Sequence, residues 1–382
     1  MTVATLVDPN RVETMAQVEH DSLVGTPWEK LGNKIPSGSD VPGILDAAGL
    51  DWSVIKARSV IEVEMTVEEF EQIRVVLPHL YETQYIEDSG KIIVRVPNPK
   101  SYGLVRSTDL RVLSPYMGDR YKPVQNTDAF EVFQEFVQAG GMTMETAGSL
   151  SGGEHIWGMA NIGKGFELAN GEVIRGYFLL LQSHAYGHAL KALFTPVRYP
   201  GGHTLVQNIS LKGVGGKATY TMSHARYFNE DRIQEIKELL GVAEKALDEF
   251  QQKASFLAST TFDEAAGVHY LVQVFNPELI AKRKLDKMPL PKSLNELSNA
   301  SDANRVVKRA ADLVDDYPGS DLSSCRGTAW GYYNTVVHAF DHAFGHNDDT
   351  RIQSSWLGKN RERKQSALQV AEVMAHALGK KE

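Results

Sequence analysis

Between Thr143 and Val197 the chain passes through four apolar stretches, Thr143–Leu150, His155–Ala160, Val173–Leu181 and Ala189–Val197, parted by breaks such as Gly152-Gly153 and Asn170-Gly171. Breaks this short favour antiparallel pairing of consecutive strands over a crossover. Thr204–Ser210, after Gly201-Gly202, and Gly216–Ser223 extend the series. The longest periodic segment follows, from Asn229 to Leu257. Its apolar residues fall at Ile233, Ile236, Leu240, Ala243, Leu247, Phe250, Ala254 and Leu257, the three-and-four spacing of one helix face. Such a stripe covers an apolar surface, either the preceding sheet or a second helix in an intermolecular coiled coil. Helical spacing returns at 302–315, 329–344 and 361–378. The order predicts an α+β fold: a central antiparallel β-meander covered by a long amphipathic helix, followed by a helical C-terminal region.

Upstream, Asp40–Trp52 reads as a short helix stopped by Gly49, and Val60–Met65 as a strand. Thr66 and Glu69 form a capping signal for a helix to about Leu77. Lys91–Val96 alternates like a strand that Pro97 and Pro99 end, and Thr127–Val137 places Phe130, Phe133 and Phe136 on a helix face. The expected division is a flexible N-terminus (1–20), an α+β core (21–281), a basic loop containing Pro289 and Pro291 (282–300) and a helical region packed on the core (301–382).

Acidic residues outnumber basic ones, 48 to 40, so no chain-wide positive field draws the protein to nucleic acid. Binding of that kind has to come from local patches or from oligomerisation. Apolar runs such as Tyr177–Leu181 fall far short of the roughly 20 residues of a membrane span, and the first twenty residues lack the pattern of a signal peptide. The single cysteine, Cys325, can form no internal disulfide, which fits a reducing cytoplasm. A cytoplasmic protein without membrane contact is expected.

Common catalytic motifs fail. Gly213-Val214-Gly215-Gly216-Lys217 is followed by Ala218 where a phosphate loop needs Ser or Thr, and Leu211 stands at its first glycine. Gly148 to Gly152 has serines on each side of the position a nucleophile elbow requires. His338, Asp341, His342 and His346 are the sharpest local constellation with metal-ligand spacing: His338 and His342 lie one helical turn apart, Gly345 is a helix stop before His346, and Ala339 replaces a zincin's glutamate. Structural histidines are the simpler reading, and no cofactor is expected.

Basic residues interleaved with aromatics are the remaining signal. Phosphates would contact Arg120, Lys122, Arg175, Lys191, Arg198, Lys212, Lys217 and Arg226, while Tyr121, Trp157, Tyr177 and Tyr199 would stack on bases of single-stranded DNA. Against this, aromatics in alternating strands are usually core.

The run Arg120 to Asn126 with Ala129-Phe130, then Glu145 to Gly148, Leu150 and Trp157, resembles the phage/plasmid-like family catalogued as domain of unknown function 932. Gly327 to Trp330, Asn334, Asp341-His342, Arg351, Trp356, Gly358 and Lys364 agree with it, as do Trp28, Gly32 and Gly49 to Trp52, so the similarity covers about residues 20 to 375. One departure is Tyr199 to His203 before Thr204-Leu205, where the family tends to carry a Cys/Asn-rich turn. Of the C-terminal histidines only His342 matches the family pattern. The resemblance implies a mobile-element setting and no established activity. A meander followed by a long helix is also similar in order to the phage single-strand annealing proteins, which assemble on single strands. The leading expectation is therefore a non-enzymatic homo-oligomer that binds or anneals single-stranded DNA in recombination. Its rivals are a metal-dependent enzyme acting on nucleic acid or nucleotide, and an inhibitor or partner of a host defence or repair factor.

Overall fold

Two sheets and a helical layer account for the residues that the computed structural model describes: 15–18, 33–35, 39–75, 82–86, 91–168, 172–185, 190–199, 203–204, 220–222, 230–345 and 348–379. The chain opens with β1 (Met15–Val18) and β2 (Asn33–Ile35), a parallel pair. The expected flexible N-terminus is thus corrected at residues 15–18, which add to the main sheet. In α1 (Val41–Ala47) the Asp40 side chain accepts from the Gly43 amide at 3.0 Å, and Gly49 follows at φ +61°, a backbone that suits glycine.

The smaller sheet holds β3 (Val54–Thr66), then after α2 (Val67–Ile73) come β4 (Glu82–Ile86), β5 (Lys91–Arg106) and β6 (Val112–Gly118). The order is β3-β5-β4, with β6 on the second half of β5. Thr66 and Glu69 form the expected capping box of α2. β5 does not end at Pro97 and Pro99 as its sequence suggests. β4 pairs only with Lys91–Arg95 and β6 only from Ser101 onward, so the prolines interrupt no ladder on that side. On the other side residues 99–101 bulge between the pairs Ser59–Asn98 and Arg58–Tyr102. Leu104, Leu113 and Met117 at the base of this sheet join the main core, while its far end, around Ile61 and Val63, is exposed.

After α3 (Asn126–Ala139) the meander runs as expected through β7 (Thr143–Leu150), β8 (His155–Glu167), β9 (Val173–Ser183) and β10 (Leu190–Tyr199), each antiparallel to the next. β11 (His203–Thr204) and β12 (Tyr220–Met222) both pair with β10, and β1 and β2 continue the sheet beyond β7. The remainder of the expected strands at 204–210 and 216–223 lies outside the described residues. Alternation sends Ile156, Ala160, Phe178, Leu180 and Phe194 to one face, into the main core. Trp157, Met159, Tyr177, Leu179, Leu193 and Tyr199 go to the other, which forms a second cluster. Both faces are therefore buried, unlike the one-sided burial common in antiparallel sheets.

The long helix α4 (Glu230–Ser259) buries Ile236, Leu239, Ala243, Leu247, Phe250, Ala254 and Leu257. Leu239 is buried in place of the expected Leu240, which is half-buried. Phe250 meets Phe166 of the sheet at 6.2 Å and Trp330 of the helical layer at 5.9 Å, so the helix is sandwiched between them. That layer comprises α5 (Glu264–Phe275), α6 (Pro277–Leu285), α7 (Leu294–Asn299), α8 (Arg305–Ala311), α9 (Ala329–His338), α10 (Asp348–Leu357) and α11 (Lys359–Gly379). The basic loop expected at 282–300 is corrected: its ends are helical, and Arg283 ties it down through Asp302 at 2.7 Å and the Pro289 carbonyl at 2.7 Å. One continuous apolar cluster runs from Val41 to Ala375. Among the described residues no helix is long and apolar enough to cross a membrane.

Candidate functional site

The residues singled out for DNA contact in the strands lie mostly inside the protein. Arg198 is 0% exposed and ion-paired with the equally buried Glu172. Its guanidinium also donates to the Pro318 carbonyl at 3.1 Å and the Gly319 carbonyl at 3.2 Å. Glu172 in turn accepts from Trp330 Nε1 at 2.8 Å and from the Ser324 hydroxyl. This cluster fastens β9 and β10 to the segment before α9, and buried there Arg198 is out of reach of a nucleic-acid phosphate in solvent.

Tyr177 donates to Glu145 at 2.7 Å and its hydroxyl lies 2.6 Å from that of Tyr199, while Asn161 donates to the other Glu145 oxygen at 2.8 Å. Burial pushes both phenols well above their ordinary pKa. Trp157 is buried edge-on against Trp356 of α10 at 5.1 Å. Trp157, Tyr177 and Tyr199 therefore serve as interior packing, a correction to their role as stacking surfaces. Arg175 lies 5.4 Å over the Tyr199 ring and Lys191 is half-buried. Arg120 and Lys122 are exposed on the loop before α3, with Tyr121 half-buried against the core. Lys212, Lys217 and Arg226 lie outside the described residues.

The histidine constellation also resolves differently from a metal site. A hydrogen bond from the Phe344 amide N–H to the Ala339 carbonyl at 2.7 Å closes a π turn after α9. Asp341 in this turn is buried and takes the Lys364 ammonium at 2.7 Å, so its carboxylate already has a cation. Burial lowers the Lys364 pKa, with Asp341 opposing. His338 and His342 approach to 5.1 Å between ring centroids, and His346 lies outside the described residues. Among the described residues no three His, Cys, Asp or Glu side chains converge as a metal site would require.

A concave site forms instead around the floor that this ion pair stabilises. A cleft of about 1010 Å³ is bounded by α5, α8, the π turn, α10 and α11. Its floor is a triangle of phenyl rings, Phe275 to Phe340 at 5.4 Å, Phe275 to Phe344 at 5.7 Å and Phe340 to Phe344 at 6.0 Å. Four arginines, Arg305, Arg309, Arg351 and Arg363, line it with a single carboxylate, Glu362, among the described lining residues. In a chain of net charge −8 this is a concentrated positive site.

Local chemistry explains how the arginines arrive there. Asn304 caps α8, accepting from the Val307 amide at 2.9 Å, and donates to the Phe275 carbonyl at 2.9 Å, which pins α8 beside the end of α5. Val307, Ala310 and Ala311 are buried, leaving Arg305 and Arg309, one turn apart, on the cleft side. Arg309 lies 5.2 Å over Phe344 and donates to the Ala343 carbonyl at 2.8 Å; Arg363 lies 5.8 Å over Phe340. These contacts orient the guanidiniums, and phosphates accept well from such planar donors. On α10, Trp356 packs on the sheet while Arg351 and Ser354 turn to the cleft.

Sequence reading missed this site because its arginines are dispersed over three helices rather than grouped in a run. The available signal was the family pattern, since Asp341, Arg351 and Lys364 all belong to the cleft or its support. The fold and the site thus define an α+β protein with a buried meander and an arginine–phenylalanine cleft in its helical layer. The chain belongs to the family described as domain of unknown function (DUF932), whose model matches residues 115–368. Neither a curated protein nor a solved structure matches it.

Proposed function

We propose that the protein binds single-stranded nucleic acid without chemically altering it, in the cleft of the helical layer rather than on the sheet. The observation that carries this reading is four arginines in one cleft beside the half-buried rings of Phe275 and Phe344, which the buried Phe340 supports from below, with one opposing carboxylate. Cations neutralise the phosphates, and aromatic faces take the bases, a pairing suited to single strands because their bases are unstacked. The family resemblance adds a phage or plasmid setting in the host cytoplasm, where such binding serves strand annealing in recombination.

The test is fluorescence anisotropy of a labelled single-stranded DNA oligonucleotide over a range of salt concentrations, with an unlabelled duplex of the same sequence as competitor. Affinity should fall steeply with salt, and the duplex should compete poorly. The R309A/R363A variant should reduce the log–log salt slope by about 0.7 for each phosphate that is no longer neutralised. Salt-independent binding, or binding unchanged in that variant, refutes the proposal.

A further inference from the structure

β3 is an edge strand with thirteen residues, and among the described strands only β5 pairs with it. Long edges of this kind template pairing with another chain unless something blunts them. At both ends of β3 side chains take the backbone groups that point away from β5. Gln125 accepts from the Val54 amide at 2.8 Å and donates to the Val54 carbonyl at 3.1 Å, and Glu69 accepts from the Thr66 amide at 2.8 Å. Backbone direction alternates along a strand, and the bulge beside Arg58 and Ser59 adds its residues to β5, leaving β3 regular. The even-numbered residues between these ends, Lys56 to Glu64, therefore direct their amides and carbonyls outward.

The side chains along this edge are complementary to themselves. When β3 meets a second β3 antiparallel about Val60, Arg58 faces Glu62 of the other copy and Lys56 faces Glu64, twice each by symmetry. Every one of these pairs joins two even-numbered residues, so the outward backbone groups meet in the same register. On the opposite face Ile61 lands against Ser59, Val63 against Ala57 and Met65 against Ile55. That contact covers apolar side chains left open in the single chain, where Ile55 is 42%, Ile61 53% and Val63 40% exposed, while on the charged face Val60, 49% exposed, meets its own copy on the axis. Within the chain Glu62 already binds Arg95 at 2.7 Å and Lys56 donates to the Tyr121 carbonyl at 3.0 Å, so the second copy completes networks that exist.

We propose that β3 is the docking edge for a second copy of this chain, joined antiparallel about a two-fold axis through Val60. The two smaller sheets become one continuous sheet across the dimer. The interface is separate from the arginine cleft, and its test needs no nucleic acid.

The experiment is sedimentation velocity on the full chain over a concentration series, with R58E, E62K, V60P and an equimolar mixture of R58E and E62K. Each charge variant alone sets like charges opposite each other twice, and the dimer dissociation constant should rise roughly tenfold or more. In the mixture the carboxylate introduced by R58E meets the ammonium introduced by E62K, while the second site keeps its native pair, so dimers should return. V60P removes an outward amide and should also dissociate the dimer, with circular dichroism unchanged. V60C should give a disulfide-linked dimer on mild oxidation, because backbone-bonded antiparallel partners lie about 5.5 Å apart at Cα, within disulfide reach. A wild-type chain that is monomeric throughout, assembly indifferent to R58E and V60P, or a mixture that fails to recover dimers overturns the proposal.

Discussion

Replacing Arg198 with methionine separates a structural arginine from a phosphate-binding one. Methionine fills most of the same space, so the main loss is electrostatic. Glu172 would remain buried with donors from Trp330 and Ser324 but without its cation. Breaking one member of a buried pair costs about 3–5 kcal/mol, and the two retained donors place this case at about 3. The carbonyls of Pro318 and Gly319 each lose a donor as well, worth about 1 kcal/mol together at the low end of hydrogen-bond values. The expected loss is about 4 kcal/mol. Urea denaturation followed by tryptophan fluorescence measures it, with Trp330 reporting from inside the cluster. E172Q/R198M needs no buried cation and should recover about half of the loss, since replacing both members of a buried pair is often nearly neutral. A loss under about 1 kcal/mol would refute the account. So would a stable R198M protein whose DNA affinity has fallen, because that places the arginine at a phosphate.

Two more outcomes follow from the helical layer. Gly331→Ala would set a Cβ 1.8 Å from the Cys325 carbonyl oxygen, a backbone atom with little freedom to yield, so a loss of at least about 3 kcal/mol is expected in the same denaturation assay. Burial first, and the adjacent His342 second, lower the His338 pKa to about 4, with Asp341 and Asp316 opposing and Arg198 adding to the fall. The unfolded chain therefore takes up the proton first on acidification. Stability from this group is full above pH ~6.5 and is lost as the pH falls towards 4. The difference in melting temperature between wild type and His338→Gln should change across that window; a constant difference would contradict the assignment.

Signals contained within a few residues were legible in the sequence. Asp40, Thr66 and Glu69 cap helices wherever their neighbours allow, and alternation with short breaks is enough to make β7 to β10 a meander. The stripe of α4 announced a helix with an apolar neighbour to satisfy, though not that the helical layer would share it with the sheet. β1 was not legible because four residues carry too little period, and its pairing with β7 supplies what its sequence lacks.

Which side of a pattern meets solvent depended on the tertiary structure. Trp157, Tyr177 and Tyr199 alternate as they would on an open sheet, and only the packing of α10 against that face, with Trp356 among them, makes them interior. The same packing turns Arg351 toward Arg305, Arg309 and Arg363, and the Asn304 bridge to Phe275 completes the cleft. Local propensity acts through neighbours in the chain, so caps, strands and helix faces are written in sequence. Burial of a face and convergence of distant cations depend on which elements meet, and that is decided by the collective burial of apolar surface from Val41 to Ala375.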